Sequence, residues 1–248
     1  MYALTTLARR SASARRRRKM RETPQMGVFQ LPDTVPASSG HTMLLVGLTG
    51  GVASGKSTVS RILEGEGAIL IDADQIARAL ARPGSPVFLE LIRAFGEKIL
   101  REDGSLDRKA LAARVFSDPE QRSVLNRILH PRIKEEIRRR VREVVERDPA
   151  AIVIIDAALL IEAGHDQEMD KVIVVTSRAE QQIKRLKERN GMAPEEAERI
   201  LASQMPQEEK LKVADFVLRN EGSLEETAKR TKEVFQKLKK LALERNRK

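Results

Sequence analysis

From Leu44 to Leu63 the chain reads LLVGLTGGVASGKSTVSRIL: an apolar run, a glycine-rich turn and a helix-forming stretch in immediate succession. Gly50, Gly51, Val52, Ala53, Ser54, Gly55, Lys56, Ser57 and Thr58 carry the spacing G-x-x-x-x-G-K-[ST] of a phosphate-binding loop between a strand and a helix. Each residue type has a task. The glycines let the backbone turn tightly and present N–H groups to a phosphate chain. Lys56 reaches the β and γ phosphates as a point charge, and the Ser57 hydroxyl is placed to hold Mg²⁺. The helix N-terminus beneath adds its positive dipole end. A chance match in a glycine-rich turn is the alternative, and the strand–loop–helix order argues against it. The stretch implies a chain that binds a nucleoside triphosphate.

Composition sets bounds. A chain of 248 residues can bury one sizeable core, with subdomains inserted into it. There is no cysteine, hence no disulfide, no thiol nucleophile and no thiolate metal site, which fits a cytoplasmic protein. The longest apolar run, residues 150–163, is interrupted by Asp156 and Glu162 and is no membrane span. More than half of the net charge of +10 lies in residues 1–42, where eight Arg and Lys face only Glu22 and Asp33. That segment is read as a disordered basic extension. It suits a transit peptide, an arm for nucleic acid or a membrane surface, or the product of an upstream start codon with Met43 opening the fold.

Beyond it, strand-like and helical patterns alternate, as in a parallel α/β sheet. Expected strands are residues 44–48, 68–71, 151–155, 171–175 and 215–218, and four of them are continuously apolar, as strands covered on both faces are. Residues 86–148 show helical periods only. One helix starts at Pro86 and ends near Gly96, a second covers 107–116, Asp118-Pro119 opens a third and Pro131 a fourth. The expected fold is a three-layer P-loop NTPase with a five-stranded parallel sheet. Its core comprises residues 43–82, 150–183 and 211–248, with a helical acceptor-binding insertion over about 83–149 and a helical lid over about 184–210.

Further candidate residues follow. Asp72 and Asp74 end the second strand, on the sheet edge that faces the ligand crevice. Either carboxylate can accept a hydroxyl proton or bind metal through water, and one is expected to cap the following helix. Asp156 ends the third strand, in the position of a second metal-site acid beside Ser57. In the lid, Arg185 and Arg189 can close over the transferring phosphoryl group, or simply belong to a solvated helix face paired with Glu180 and Glu188.

Together these residues resemble the dephospho-coenzyme A kinase family, over about residues 43–239. Gly47–Thr58 is similar to that family's GLTGG-x-GSGKST, with Ala53 where a glycine is common. Asp72-Ala73-Asp74-Gln75-Ile76-Ala77-Arg78 resembles DAD-x-IAR, Asp103–Arg108 resembles DG-x-L-x-R, Leu129-His130-Pro131 resembles LHP, and residues 214–222 resemble AD-x-VI-x-N-x-G. The resemblance implies ATP and Mg²⁺, phosphorylation of the ribose 3′-hydroxyl of dephospho-coenzyme A, and Asp74 as the base. It also implies acceptor contacts from Asp72, Arg78, Arg108, His130, Leu159, Leu160 and Glu162, and an adenine site beside the Asn220–Gly222 backbone. His130 can equally be a packed residue before Pro131. Ala158 and Ile161 stand where the family has proline and phenylalanine, and Asn190 where it has aspartate.

Two other classes share parts of this pattern. A nucleoside monophosphate kinase shares the loop and differs in the acceptor domain. A nucleic-acid-binding ATPase is disfavoured by one Tyr, six Phe and no Trp, which leave little for base stacking. No [NT]-K-x-D guanine motif occurs. The expected partners are the two small-molecule substrates, with neither nucleic acid nor membrane, on a monomer or weak homo-oligomer.

Overall fold

The computed structural model describes residues 43–245, without the side chains of Phe116, Ser117, Arg189 and Asn190. The basic segment 1–42 lies outside the described residues. Five strands form one sheet: β1 Leu44–Gly50, β2 Ile69–Asp72, β3 Ile152–Asp156, β4 Lys171–Thr176 and β5 Phe216–Arg219. All pair in parallel, in the order β2-β3-β1-β4-β5. Side chains alternate across a strand, so consecutive residues feed opposite layers. Leu44, Val46 and Leu48 pack with Val59 and Leu63 of α1 (Lys56–Gly65) and with Val234, Phe235 and Leu238 of α9 (Leu224–Arg245). Leu45, Val153, Ile155 and Val174 face the other way, onto Ile76 of α2 (Ala73–Leu80) and Val141 and Val145 of α5 (Pro119–Arg147). Covering both faces is why β1, β3 and β4 read as unbroken apolar runs, whereas the edge strands β2 and β5 leave Ile69 and Val217 exposed. Each fully buried Leu, Val or Phe contributes about 1.5–3 kcal/mol.

The insertion has its own core of Val87, Phe88, Leu91, Phe95, Ile99, Leu106 and Leu111. Local chemistry sets its helix ends. Ser85 Oγ accepts from Phe88 N–H (3.0 Å) at the start of α3 (Pro86–Phe95), and Gly96 ends that helix at φ +72°. Asp107 caps α4 (Arg108–Ser117), and Asp118 accepts from the N–H groups of Glu120 and Gln121 at the start of α5. One expectation is corrected. Pro131 does not start a helix but lies inside α5, which runs unbroken for 29 residues. An interior proline loses a backbone hydrogen bond and costs about 3 kcal/mol. Packing at both ends offsets this: Leu125, Ile128 and Leu129 join the insertion core, while Val141 and Val145 join the sheet core. The helix thereby couples the helical insertion to the sheet.

The segment expected as a lid is helical: α6 (Ala179–Asn190), α7 (Pro194–Ala202) and α8 (Gln207–Leu211). Register puts Asp72 beside Asp156 at the carboxyl ends of β2 and β3, next to Leu48 of β1 just before the loop.

Candidate active site

The loop is built by backbone geometry and held by side chains from far away in sequence. Gly55, at φ +92°, ends it and starts α1 with no side-chain cap. The N–H groups of Lys56 and Ser57 at the start of α1 therefore suit an anion, while those of Thr58 and Val59 turn back to Gly55 O. A Cβ at Gly55 would collide with the Asn220 amide. Asn220 Nδ2–H donates to the Ser54 carbonyl (2.9 Å), and its Oδ1 accepts from Thr227 Oγ–H (2.9 Å). Arg185 donates to the carbonyls of Ala53 (3.1 Å), Ser54 (3.3 Å) and Asn220 (3.0 Å). Gln182 Nε2–H donates to Val52 O (3.0 Å), and Val52 N–H donates to Gln204 Oε1 (2.9 Å). C=O and N–H project from opposite sides of a peptide plane. Carbonyls drawn to Arg185 and Asn220 thus turn the adjoining N–H groups the other way.

Arg185 was expected over the phosphates, and here it braces the loop from the lid while lining the same cleft. Arg189 has its side chain outside the described residues. Lys184 makes the expected helix-face pair with Glu188 (3.9 Å). Gly222 lines a separate hollow with Arg178, Arg219, Glu221 and Arg230, beyond the end of β5.

The acids divide their tasks. Asp72 Oδ1 accepts from Gln75 N–H (2.8 Å) and caps α2, as one of the pair was expected to do. Asp156 is buried, accepts from Ser60 Oγ–H (2.5 Å) and is ion-paired with Lys56. Asp74, in the first turn of α2, is open to the cleft at its tip, while the protein around it displaces bulk water. That desolvation raises its pKa above the usual carboxylate value; Lys56 opposes the rise, Asp72 and Asp156 add to it, and Arg78 opposes it.

Two clefts meet here. The larger, about 630 Å³, is lined by Gly50–Ser57 with Asp74, Arg78, Ala158 and Arg185. The smaller, about 260 Å³, is lined mostly by apolar side chains, among them Leu129, Ile133, Ile137, Leu159 and Leu160. Asp74 lines both. His130 lines the apolar cleft, its ring edge-on to His165 with centroids 6.0 Å apart. Burial, then His165 and Lys134, lower its pKa and favour the neutral ring. Thr58 lies in the first turn of α1, and its N–H donates to Gly55 O (3.0 Å).

Two expected acceptor residues stand elsewhere. Arg108 is an exposed side chain at the start of α4 and lines neither cleft. Glu162 does not line the apolar cleft and pairs instead with Lys210 Nζ of α8, at 2.6 Å. Conversely, Gln182, Gln204 and Thr227 hold the loop without having been foreseen. Nothing in their local sequence distinguishes them from other polar helix and turn residues.

A sequence profile described as dephospho-CoA kinase matches residues 44–226. The chain belongs to the dephospho-CoA kinase family. A relative in this family, the dephospho-CoA kinase of Corynebacterium glutamicum, is 48% identical over 193 residues, spanning 78% of this chain and 98% of its own. That of Moorella thermoacetica is 43% identical over 198 residues, spanning 80% of this chain and 93% of its own. Among solved structures, TT1252 from Thermus thermophilus superimposes with a TM-score of 0.67 at 36% identity, covering 79% of this chain and 97% of its own. The dephospho-CoA kinase from Campylobacter jejuni gives 0.59 at 28% identity, covering 80% and 98%. The family match begins one residue after Met43, so it takes in the phosphate loop, the acids, both clefts and the lid. No helix among the described residues is long and apolar enough to cross a membrane.

Proposed function

We propose that this chain transfers the γ-phosphoryl group of ATP to the ribose 3′-hydroxyl of dephospho-coenzyme A, giving coenzyme A and ADP, the last step of coenzyme A biosynthesis. The observation that carries the reading is the position of Asp74 at the junction of a loop-lined cleft and an apolar one. A kinase needs one group within reach of both the phosphoryl donor and the attacking hydroxyl. In the reaction the acceptor oxygen forms a bond to the γ phosphorus, the bond to the β,γ-bridging oxygen breaks, and the hydroxyl proton passes to the Asp74 carboxylate.

The loop backbone and Lys56 hold the ATP phosphates. For this Lys56 turns from Asp156 toward the β and γ oxygens, which places its charge where negative charge develops. Arg185, already bonded to the loop, and Arg189 lie on the lid helix that closes this cleft. The base of ATP lies against Asn220–Gly222. Ser57 Oγ and the Asp156 carboxylate are hard oxygen donors, and two such protein ligands suit a Mg²⁺ that keeps several waters and phosphate oxygens. When bound, Mg²⁺ neutralises charge on the β and γ oxygens. The acceptor enters along Arg78, Leu159, Leu160 and His130. Asp72 fixes the first turn of α2 and with it the position of Asp74. The enzyme works in the cytoplasm as a monomer or weak homo-oligomer.

The test is a coupled assay of ADP release with ATP, Mg²⁺ and, in parallel, dephospho-coenzyme A, AMP, CMP and shikimate. Turnover with dephospho-coenzyme A far above the others is expected. Preference for AMP or CMP would make the chain a nucleoside monophosphate kinase instead.

A further inference from the structure

Two glutamines hold the phosphate loop at a single residue. Gln182 Nε2–H donates to Val52 O (3.0 Å), and Gln204 Oε1 accepts from Val52 N–H (2.9 Å). That N–H belongs to the peptide plane before Val52, and the carbonyl to the plane after it. Pinning both planes fixes the two soft dihedrals between them, φ and ψ of Val52. The side chains come from different elements: Gln182 is buried on α6, and Gln204 stands half-buried in the turn between α7 and α8. They converge on Gly51, where a Cβ would stand 2.9 Å from Gln182 Nε2 and 3.5 Å from Gln204 Oε1.

The loop needs outside support at this point. The next residue, Ala53, has φ +54°. An unconstrained alanine adopts such a conformation roughly one time in ten or less, whereas glycine adopts it about as readily as negative φ. A free loop with alanine here would spend most of its time in another shape, and only the correctly shaped fraction would bind a phosphate chain. Arg185, one turn along α6 from Gln182, holds the Ala53 carbonyl (3.1 Å). Gln204 adds a support from outside that helix. It is itself anchored: its N–H donates to Leu201 O (3.2 Å), and α8 just beyond it is tied down by the ion pair of Lys210 with Glu162.

Resting on the reading of this loop as the ATP site, we propose that Gln182 and Gln204 are positioning residues for ATP binding. Together they hold Val52, and through it Ala53, in the shape that presents the loop to the phosphates. Both act through the backbone and neither has to touch the nucleotide. The clamp matters in this chain because residue 53 is alanine: a glycine would reach positive φ unaided.

The experiment titrates ATP with Mg²⁺, in the absence of acceptor, into wild type, Gln204→Met and Gln182→Met by calorimetry. Methionine keeps the volume and removes the hydrogen bond. Each variant is expected to bind ATP about threefold to tenfold more weakly, as loss of one neutral hydrogen bond implies, with KM for dephospho-coenzyme A within about twofold of wild type. The Gln204→Met change is then repeated in Ala53→Gly. Measured against that parent, the loss should shrink to about twofold or less, because glycine holds positive φ without the clamp. A general loosening of the fold would not be rescued by glycine at this position. Unchanged or tighter ATP binding in both Met variants, or an equal loss in the Ala53→Gly background, overturns the positioning role. Wild-type protein that binds no ATP removes the ATP-site reading itself. Wild-type protein that binds it, with variants that bind equally well, removes the clamp alone.

Discussion

Lys210, only 2% exposed, holds its Nζ 2.6 Å from Glu162 Oε1, tying the last helix of the lid to the loop that follows β3. That loop carries Leu159 and Leu160 into the apolar cleft, so α8 and the wall of that cleft share one ion pair. A buried pair adds little against an apolar substitute, but losing one partner strands the other's charge.

Lys210→Met should therefore destabilise the protein by about 2–3 kcal/mol, somewhat below the value for a fully buried pair because Glu162 retains partial exposure. The double variant Lys210→Met/Glu162→Gln should recover most of that loss. Urea unfolding of the three proteins measures both quantities. A single variant as stable as wild type would mean the carboxylate is not stranded.

Ala53 is the residue other than glycine that has positive φ, +54°, among the described residues. It occupies the loop position where the resembled motif commonly has glycine. The left-handed conformation costs an alanine more than glycine's extra freedom in the unfolded chain. Ala53→Gly should accordingly raise stability by about 0.5–1 kcal/mol. Its carbonyl still accepts from Arg185, so KM for ATP should hardly move. A lower melting temperature would show that the backbone there is not strained.

Lys56→Ala removes the charge at the β and γ phosphates and also leaves buried Asp156 with Ser60 as its remaining side-chain partner of those described. Turnover should fall by about 10²–10³ or more. The melting temperature should fall too, since an unpaired buried carboxylate costs free energy. Kinetics and thermal unfolding on one preparation check both. Near-normal turnover would remove the ATP-site assignment.

Asp74 acts as a base only when ionised, and desolvation raises its pKa. The acid limb of kcat against pH should thus lie above the range of an ordinary carboxylate, with activity lost as pH falls through it. Asp74→Asn should lower kcat by about 10²–10⁴ with ATP affinity retained. If Asp72→Asn behaves so and Asp74→Asn does not, the roles of the two acids are reversed.

Stability should respond to the same group with the opposite benefit. A carboxyl whose folded pKa exceeds its unfolded one stabilises below the unfolded pKa, and that contribution is lost as pH rises through the folded pKa. At neutral pH the ionised Asp74 is a cost, so Asp74→Asn should melt at a higher temperature than wild type at pH 7, and the gap should close toward pH 3. Equal melting curves at pH 7 would show that the carboxyl is not desolvated.

What the sequence determined by itself was whatever depends on neighbours along the chain. The phosphate loop is contiguous, from Gly50 to Ser57, and the doubly covered strands show as apolar runs because each contains both inward patterns at once. Helix starts at Ser85, Asp107 and Asp118 are legible because a cap acts within three residues of itself. Tertiary structure decided the rest. Pro131 marks a helix start as readily as an interior kink, and packing of α5 across two cores chose the interior. Asp72 and Asp74 have similar local sequence, and what separates them is that Asp72 caps α2 while Asp74 stands at the meeting point of two clefts. The amide of Asn220 reaches Ser54 across 166 residues, and Lys210 finds Glu162 only because the lid folds back on the sheet. No periodicity or motif spacing carries such contacts, because a side chain's hydrogen-bond partner is set by where the fold brings two distant segments together.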